Sequence, residues 1–344
     1  MINNGKTGTK VGVVGAGAIG GICAAYIKNA GIDVQIVSRN LEHAKKIMAE
    51  GITVSGIKGN LNVKMDAVSR VEDMATNRDI VLLGVKATGM IEVARKMIPY
   101  LKPDSMVVSL QNGFCEDALA EILGRKRVIG CITGWGATMH SPCSLEMTSS
   151  GDFIVGNIDN DEDSRLTQVQ TILNYVLPTK ISNNILGDLY AKLIINSCIT
   201  SVGAVCGLYL GEMLSKKRVR FIFFKIMEEA LEVAKALDIK VEILAGKLDY
   251  HTFLESRGFL SDIKRHLSLR VIGFKYRKLK SSSLQSLERG RETEIDYLTG
   301  FITANAKKYS ISTPVNNQVY QMVKEIERGK REISPDNLDQ ISLM

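Results

Sequence analysis

The sequence predicts an α/β domain on a parallel sheet followed by an all-α domain. Three observations carry this. Short, nearly unbroken apolar runs of strand length recur between residues 10 and 156, alternating with helix-forming stretches. A glycine cluster follows the first run directly. From about residue 183 strand patterns give way to long helical ones. A chain of 344 residues is natural for two domains. The expected boundaries are 1–180 and 181–344, with 1–9 as a flexible tail.

The first strand is residues 10–14, and Gly15, Ala16, Gly17, Ala18, Ile19 and Gly20 follow at once. A helix runs on toward Gly31, and residues 33–37 form the second strand. In that setting each glycine has a task. Gly15 makes the tight turn, Gly17 lets the backbone approach a pyrophosphate, and Gly20 lets the helix pack on the strand. The helix N-terminus then offers N–H groups to phosphates. This is a Rossmann-type dinucleotide site. The second strand ends in Ser38–Arg39–Asn40 with no acid at its tip, and Glu42 lies beyond. An arginine there suits a ribose 2′-phosphate, so the expected cofactor is NADP(H).

Residues 80–85 form a further buried strand ending at Lys86, and residues 106–110 another ending in Gln111–Asn112–Gly113. Ligands bind beyond the carboxyl ends of such strands, which makes Lys86 and Asn112 cofactor-site candidates. Asn-Gly is also a common turn pair, so both readings of Asn112 stand. Residues 127–132 form the next strand, and residues 144–148 and 153–156 are expected as antiparallel strands closing the sheet. The acidic stretch 157–164 reads as a loop.

In the second half, residues 186–205 read as one long apolar helix. Lys192, Asn196 and Thr200 are four apart and share a face. A lysine in such company either snorkels to water or faces a polar cleft. Residues 219–237 are helical, with Glu228, Glu229 and Glu232 on the polar side. The serines 281–283 precede a run to Phe301 that reads as helical apart from Gly290. Ser282 is an N-cap candidate there, and Glu294 stands on a solvated face one turn after Arg291. Thr313–Pro314 starts a last helix, 315–327, and Pro335 onward reads as a tail.

The net charge of +7 does not by itself imply nucleic acid. The excess gathers between Arg257 and Lys280, with eight Lys/Arg against Asp262 alone, either a solvated face or a region that attracts an anionic ligand. No aromatic interleaving accompanies it, so no nucleic-acid partner is expected. The six cysteines form no C-x-x-C, and with four scattered histidines no metal site is expected. A reducing cytoplasm and no membrane span fit this composition.

The ordered pieces resemble the ketopantoate reductase (2-dehydropantoate 2-reductase) family over roughly residues 10–328. They are GAGAIGG at 15–21, GVK at 84–86, QNG at 111–113, AKLIIN at 191–196, SSSLQSLERGRETEID at 281–296 and the final ISTPVNNQVYQMVKEIE. The resemblance implies NADPH-dependent reduction of ketopantoate to (R)-pantoate in pantothenate and coenzyme A synthesis. It implies that Lys192 is the general acid and that Glu294 fills the family's acidic catalytic position, also meeting cofactor. Asn112 and Asn196 would fix cofactor and substrate, Ser282 would bind the substrate carboxylate, and Arg39 and Lys86 would meet the adenosine side of the cofactor. Thr200 stands where the family usually has a second substrate-contacting asparagine, and Ser286 where it often has aspartate. Those departures lie on the substrate side and leave room for another 2-keto acid. A non-catalytic NADP sensor on the same fold is the remaining alternative; it has no need of a proton donor such as Lys192. A cleft between domains, a small 2-keto acid partner and a homodimer are expected.

Overall fold

The computed structural model describes residues 8–255 and 258–343. The expected tail thus lies mostly outside the described residues, as does Arg257 of the basic stretch. The chain forms two units: Met1–Gln111 with Cys115–Ile185, and Asn112–Phe114 with Leu186–Met344.

The first unit holds β1 (Lys10–Val14), β2 (Asp33–Val37), β3 (Ile52–Gly56), β4 (Leu61–Val63), β5 (Asp66–Val68) and β6 (Ile80–Leu83). It continues with β7 (Met106–Ser109), β8 (Val128–Thr133), β9 (Gly136–Ser141), β10 (Ser144–Ser149), β11 (Phe153–Asn157) and β12 (Thr179–Ile181). Its helices are α1 (Ala18–Asn29), α2 (Leu41–Glu50), α3 (Ala87–Met97), α4 (Glu116–Leu123) and α5 (Leu166–Asn174). The main sheet runs β12-β11-β8-β7-β6-β1-β2-β5. Its central strands β8, β7, β6, β1, β2 and β5 are mutually parallel, and β11 is antiparallel to β8. The central strands β1, β6 and β7 read as apolar runs because helices cover both faces.

One expectation is corrected here. Of the two closing strands expected, only β11 joins the main sheet, between β8 and the edge strand β12; residues 144–149 instead join a second sheet, β4-β3-β10-β9, which packs on α1. Gly21 makes that contact possible, because a Cβ on it would lie 2.5 Å from Leu145 Cδ1. The signal in the sequence was the second glycine of Gly20–Gly21. The short strands β3 and β4 carry too little pattern to be read alone.

The second unit is helical: α6 (Ile185–Asn196), α7 (Val202–Cys206), α8 (Leu210–Ser215), α9 (Lys217–Ala236), α10 (Tyr250–Glu255), α11 (Phe259–Lys275), α12 (Ser282–Glu288), α13 (Thr299–Lys308) and α14 (Pro314–Glu327). Residues 185–206 are long and apolar enough to cross a membrane, yet most of that stretch is buried inside the unit. The long helix expected there is interrupted by a π turn, Ser197–Ser201. The run expected from 281 to 301 is also broken. Gly290 adopts φ +61° and ends α12, and Glu294 lies in a loop before a 3₁₀ turn at Ile295–Tyr297.

Two further expectations change. Glu229 is buried rather than on a polar face. Its carboxylate accepts from the backbone N–H groups of Val315 and Asn316 at 2.9 Å each, and so caps α14 in place of the Thr313 side chain. Residues 335–343 are not a loose tail. Leu338 and Ile341 are buried, Asn337 donates to Val205 O at 3.0 Å, and Arg218 donates to the carbonyls of Leu338, Asp339 and Ile341.

Candidate active site

The cradle in the first unit is set by strand register. Val14 pairs with Val37 on one side and Leu83 on the other, so three carboxyl ends lie side by side. Gly15 follows at φ +116°, a conformation that favours glycine, and a Cβ there would lie 2.6 Å from Gly84 C. A Cβ on Gly20 would lie 2.1 Å from Gly15 O. Both glycines are therefore demanded by the protein's own backbone. Gly17 differs: a Cβ on it would meet no atom within 4 Å, and its backbone φ of −77° suits any residue. It also stands at the N-cap of α1 with no side-chain cap. The space beside it is open, and α1 begins there with N–H groups of its first turn, an arrangement suited to a pyrophosphate. Ala16, Ala18 and Ile19 are half-buried around it.

At the tip of β2, Ser38 is buried, with its N–H on Val68 O and its Oγ 3.1 Å from His43 Nδ1. Asn40 caps α2 by accepting from His43 N. Arg39 is exposed between them and makes no ion pair with any described residue. Glu42, the nearest acid, is engaged by Lys45 at 2.9 Å. The strand tip thus presents a cation. Lys86 is exposed at the N-cap of α3, at the end of β6. Gln111 is a structural residue that the sequence did not single out. Its side chain donates to Leu83 O at 2.8 Å and Val85 O at 3.0 Å and accepts from Ser109 Oγ, tying the ends of β6 and β7 together.

In the second unit, Lys192 and Asn196 are half-buried on α6. The turns around Lys192 are pinned on both sides. Tyr190 donates to Ala230 O of α9, and Tyr250 of α10 donates to Ala191 O, each at 2.8 Å. The wider π turn sets Thr200 and Ser201 on either side of the line through Asn196. Both are buried, and Ser201 Oγ lies 2.7 Å from Thr299 Oγ1.

Asn112 is brought to this group by its neighbours. Gly113 has φ +106°, and a Cβ on it would lie 2.4 Å from Tyr297 O. Phe114 N donates to that same carbonyl at 2.9 Å. The Phe114 ring packs on Phe301 at 4.6 Å and on Tyr190 at 6.0 Å. One aromatic cluster therefore collects Asn112, the α6 turn bearing Lys192 and the loop bearing Glu294.

Glu294 is half-buried, not on a solvated helix face. Its loop is clamped by groups the sequence did not single out. Thr293 donates from its N and Oγ1 to Glu327 at 2.8 and 2.7 Å, Lys324 pairs with Glu327 and Asp296, and Tyr320 donates to Asp296. The N-cap of α12 is Ser281, whose Oγ accepts from Leu284 N at 3.0 Å. Ser282 is left exposed with no capping duty.

Residues 11–160 match the family model for ketopantoate reductase PanE/ApbA, and residues 184–327 match the model of its C-terminal part. The chain belongs to the ketopantoate reductase family. Among curated relatives, the 2-dehydropantoate 2-reductase of Pyrococcus abyssi is 28% identical over 326 residues, covering 94% of this chain and 100% of that one. That of Archaeoglobus fulgidus is 28% identical over 325 residues, covering 93% and 98%. Among solved structures, the PanE/ApbA family ketopantoate reductase from Ralstonia eutropha JMP134 superposes with a TM-score of 0.80 at 26% identity, covering 94% and 100%. D-mandelate dehydrogenase, solved with NADH and anilino(oxo)acetate, shares the fold with a TM-score of 0.78 at 20% identity, covering 94% and 99%.

Proposed function

We propose that this ketopantoate reductase family member is an NADPH-dependent 2-dehydropantoate 2-reductase, reducing ketopantoate to (R)-pantoate for pantothenate and coenzyme A synthesis. The observation that carries the reading is a phosphate cradle kept open at Gly17 in a chain that also fixes Lys192 between two buried tyrosine anchors. Arg39, a cation without a carboxylate partner among the described residues, supports NADPH over NADH.

Bound NADPH supplies the hydride that adds to C2 of the keto acid. Addition builds negative charge on the ketone oxygen. The Lys192 ammonium stabilises that charge and gives the oxygen its proton, leaving a hydroxyl on the product and a neutral amine on the enzyme. Glu294 is the second catalytic residue and, with Asn112, also meets the cofactor. Asn112 and Asn196 orient the substrate, Ser282 donates to its carboxylate, and Thr200 belongs to the same substrate-binding set. Lys86 meets the adenosine side. The expected setting is the cytoplasm and the expected assembly a homodimer; six buried cysteines, none in a disulfide, support the former.

The test mixes purified protein with NADPH or NADH and a panel of 2-keto acids and follows loss of the reduced cofactor. Fastest turnover on ketopantoate with NADPH is expected. Preference for a different 2-keto acid would reassign the substrate to match Thr200, equal use of NADH would overturn the role of Arg39, and no turnover on any acid would remove the enzyme reading.

A further inference from the structure

The carboxyl ends of β6 and β7 are strapped by one side chain. Gln111 donates to Leu83 O at 2.8 Å and to Val85 O at 3.0 Å. Those two carbonyls flank Gly84, and the Gly15 turn rests on the Gly84 peptide. A Cβ on Gly15 would lie 2.6 Å from Gly84 C and 2.8 Å from Gly84 O. Gly84 N in turn donates to Val14 O at 2.8 Å. The Gln111 amide therefore fixes one wall of the phosphate cradle. It also fixes the chain just before Lys86, which stands at the N-cap of α3.

An amide holds two carbonyls in place only while its own oxygen is held. Gln111 Oε1 accepts from Ser109 Oγ at 2.8 Å. Both residues are buried, Ser109 at 0% and Gln111 at 5% exposed, so a lost bond here leaves an unpaired buried group. A serine hydroxyl has one proton to give. A second claimant stands beside it. Glu116, fully buried in the first turn of α4, has the Ser109 hydroxyl against its carboxyl, where it favours the charged form. Glu116 Oε2 accepts from Cys115 N at 2.9 Å. Oε1 makes no hydrogen bond while the Ser109 proton points to Gln111. A bare buried oxygen is costly on an ionised carboxylate, so Oε1 carries the proton. The neutral acid donates from Oε1 to Ser109 Oγ, and Ser109 keeps its own proton for Gln111. The ionised acid takes the Ser109 proton as its own hydrogen bond, and Gln111 Oε1 loses its donor.

We propose that Glu116 is a positioning residue for nucleotide binding: as the neutral acid it completes a relay through Ser109 and Gln111 that holds the Gly84 wall of the cradle. Burial pushes its carboxyl up to about 7, so the relay opens as pH rises through neutrality. Neighbouring charges do not override this. Asp117, next on α4, opposes ionisation and is engaged by Arg125 at 3.3 Å, and Glu121 is exposed. Helix α3 and the 3₁₀ turn Arg125–Arg127 pack on α4. Their Glu92, Arg95, Lys96, Arg125 and Lys126 are exposed, and Arg127 is half-buried and donates to Leu123 O. Strands β7 and β8 bring no charged side chain.

Fluorescence titration of NADPH on the full-length protein across pH tests the relay. NADH is run beside it because it carries no 2′-phosphate to titrate. The wild-type Kd for both nucleotides is expected to rise about tenfold between about pH 6 and about pH 8.5, the worth of one pKa unit of coupling. Glu116→Gln keeps a neutral donor on Ser109 and is expected to retain the low-pH Kd throughout. Ser109→Ala breaks the relay and is expected to bind weakly without that pH dependence, and adding Glu116→Gln to it is expected to change nothing. One pH dependence shared by the wild type and Glu116→Gln overturns the proposal. So does a difference confined to their melting temperatures, which makes Glu116 structural only, and so does a difference that persists in the Ser109→Ala background. Should Glu116→Gln fail to fold, Ser109→Ala alone decides: wild-type pH dependence surviving in it overturns the relay. The inference rests on reading the glycine turn as a nucleotide site. Absence of nucleotide binding at every pH removes that reading and the inference with it, whereas a shared pH dependence removes the inference alone.

Discussion

Lys192 follows Ala191, whose carbonyl is taken by Tyr250, and stands two residues past Tyr190, whose hydroxyl is spent on Ala230. The lysine is thus held by backbone that cannot shift without breaking a buried hydrogen bond, each of net worth about 1 kcal/mol and costlier when left half-made. If this ammonium is the proton donor, Lys192→Ala lowers kcat about 100-fold or more while NADPH still binds. Steady-state kinetics with a fluorescence titration of the cofactor checks both parts, and near-wild-type kcat would refute the role. The glycines were legible in the sequence because residue type and spacing mark them, whereas for Lys192 and Asn196 spacing gave only a shared helix face and the family resemblance supplied the roles. Gln111, Thr293 and Glu327 were not legible, because their work is long-range. Gln111 reaches carbonyls 28 and 26 positions back, and Thr293 meets a glutamate 34 positions on.

At the scale of elements, the turn from β1 into α1 separates two kinds of glycine. Gly15 is required by conformation and by the Gly84 carbonyl, whereas Gly17 is required by neither. Gly15→Ala is therefore expected to destabilise the fold by about 1–3 kcal/mol, from strain at positive φ and the clash together. Gly17→Ala is expected to leave the melting temperature nearly unchanged and to weaken NADPH binding. Thermal melts and cofactor titrations on both variants check this; a large loss of melting temperature in Gly17→Ala would contradict it. Element boundaries were legible where the helical period ran cleanly, as in α9 and α14. They failed where a partner far along the chain decides the outcome. Glu229, on what reads as a polar face, is drawn inward to cap α14.

At the scale of the molecule, Glu116 links the first unit's stability to pH. It opens α4 fully buried, with Oε2 accepting from Cys115 N at 2.9 Å, and burial pushes its carboxyl up to about 7. A carboxyl raised on folding stabilises the fold while protonated. That contribution is complete below the unfolded value of 4.5 and is lost as pH rises through about 7. The swing is about 3 kcal/mol. Glu116→Gln is expected to flatten the melting temperature between pH 5 and 8, and an unchanged slope would show that other groups set it. The division into a sheet-based and a helical unit was legible in the sequence because it follows from the period of the apolar pattern. The second sheet was not, because β10 could be read as a strand but nothing in its pattern says that it pairs with β3 and β9 rather than with the main sheet. The π turn at Ser197–Ser201, lastly, amounts to one residue more than a regular helix needs. Deleting a residue there would restore a uniform helix and rotate everything after it by about 100°. Gly203 would swing away from Ser281, which now sits where a Cβ on that glycine would fall only 2.8 Å from the serine's own Cβ. The spare residue thus acts as a phase setting between two stretches of one helix, letting Asn196 and the α12 cap keep separate neighbours.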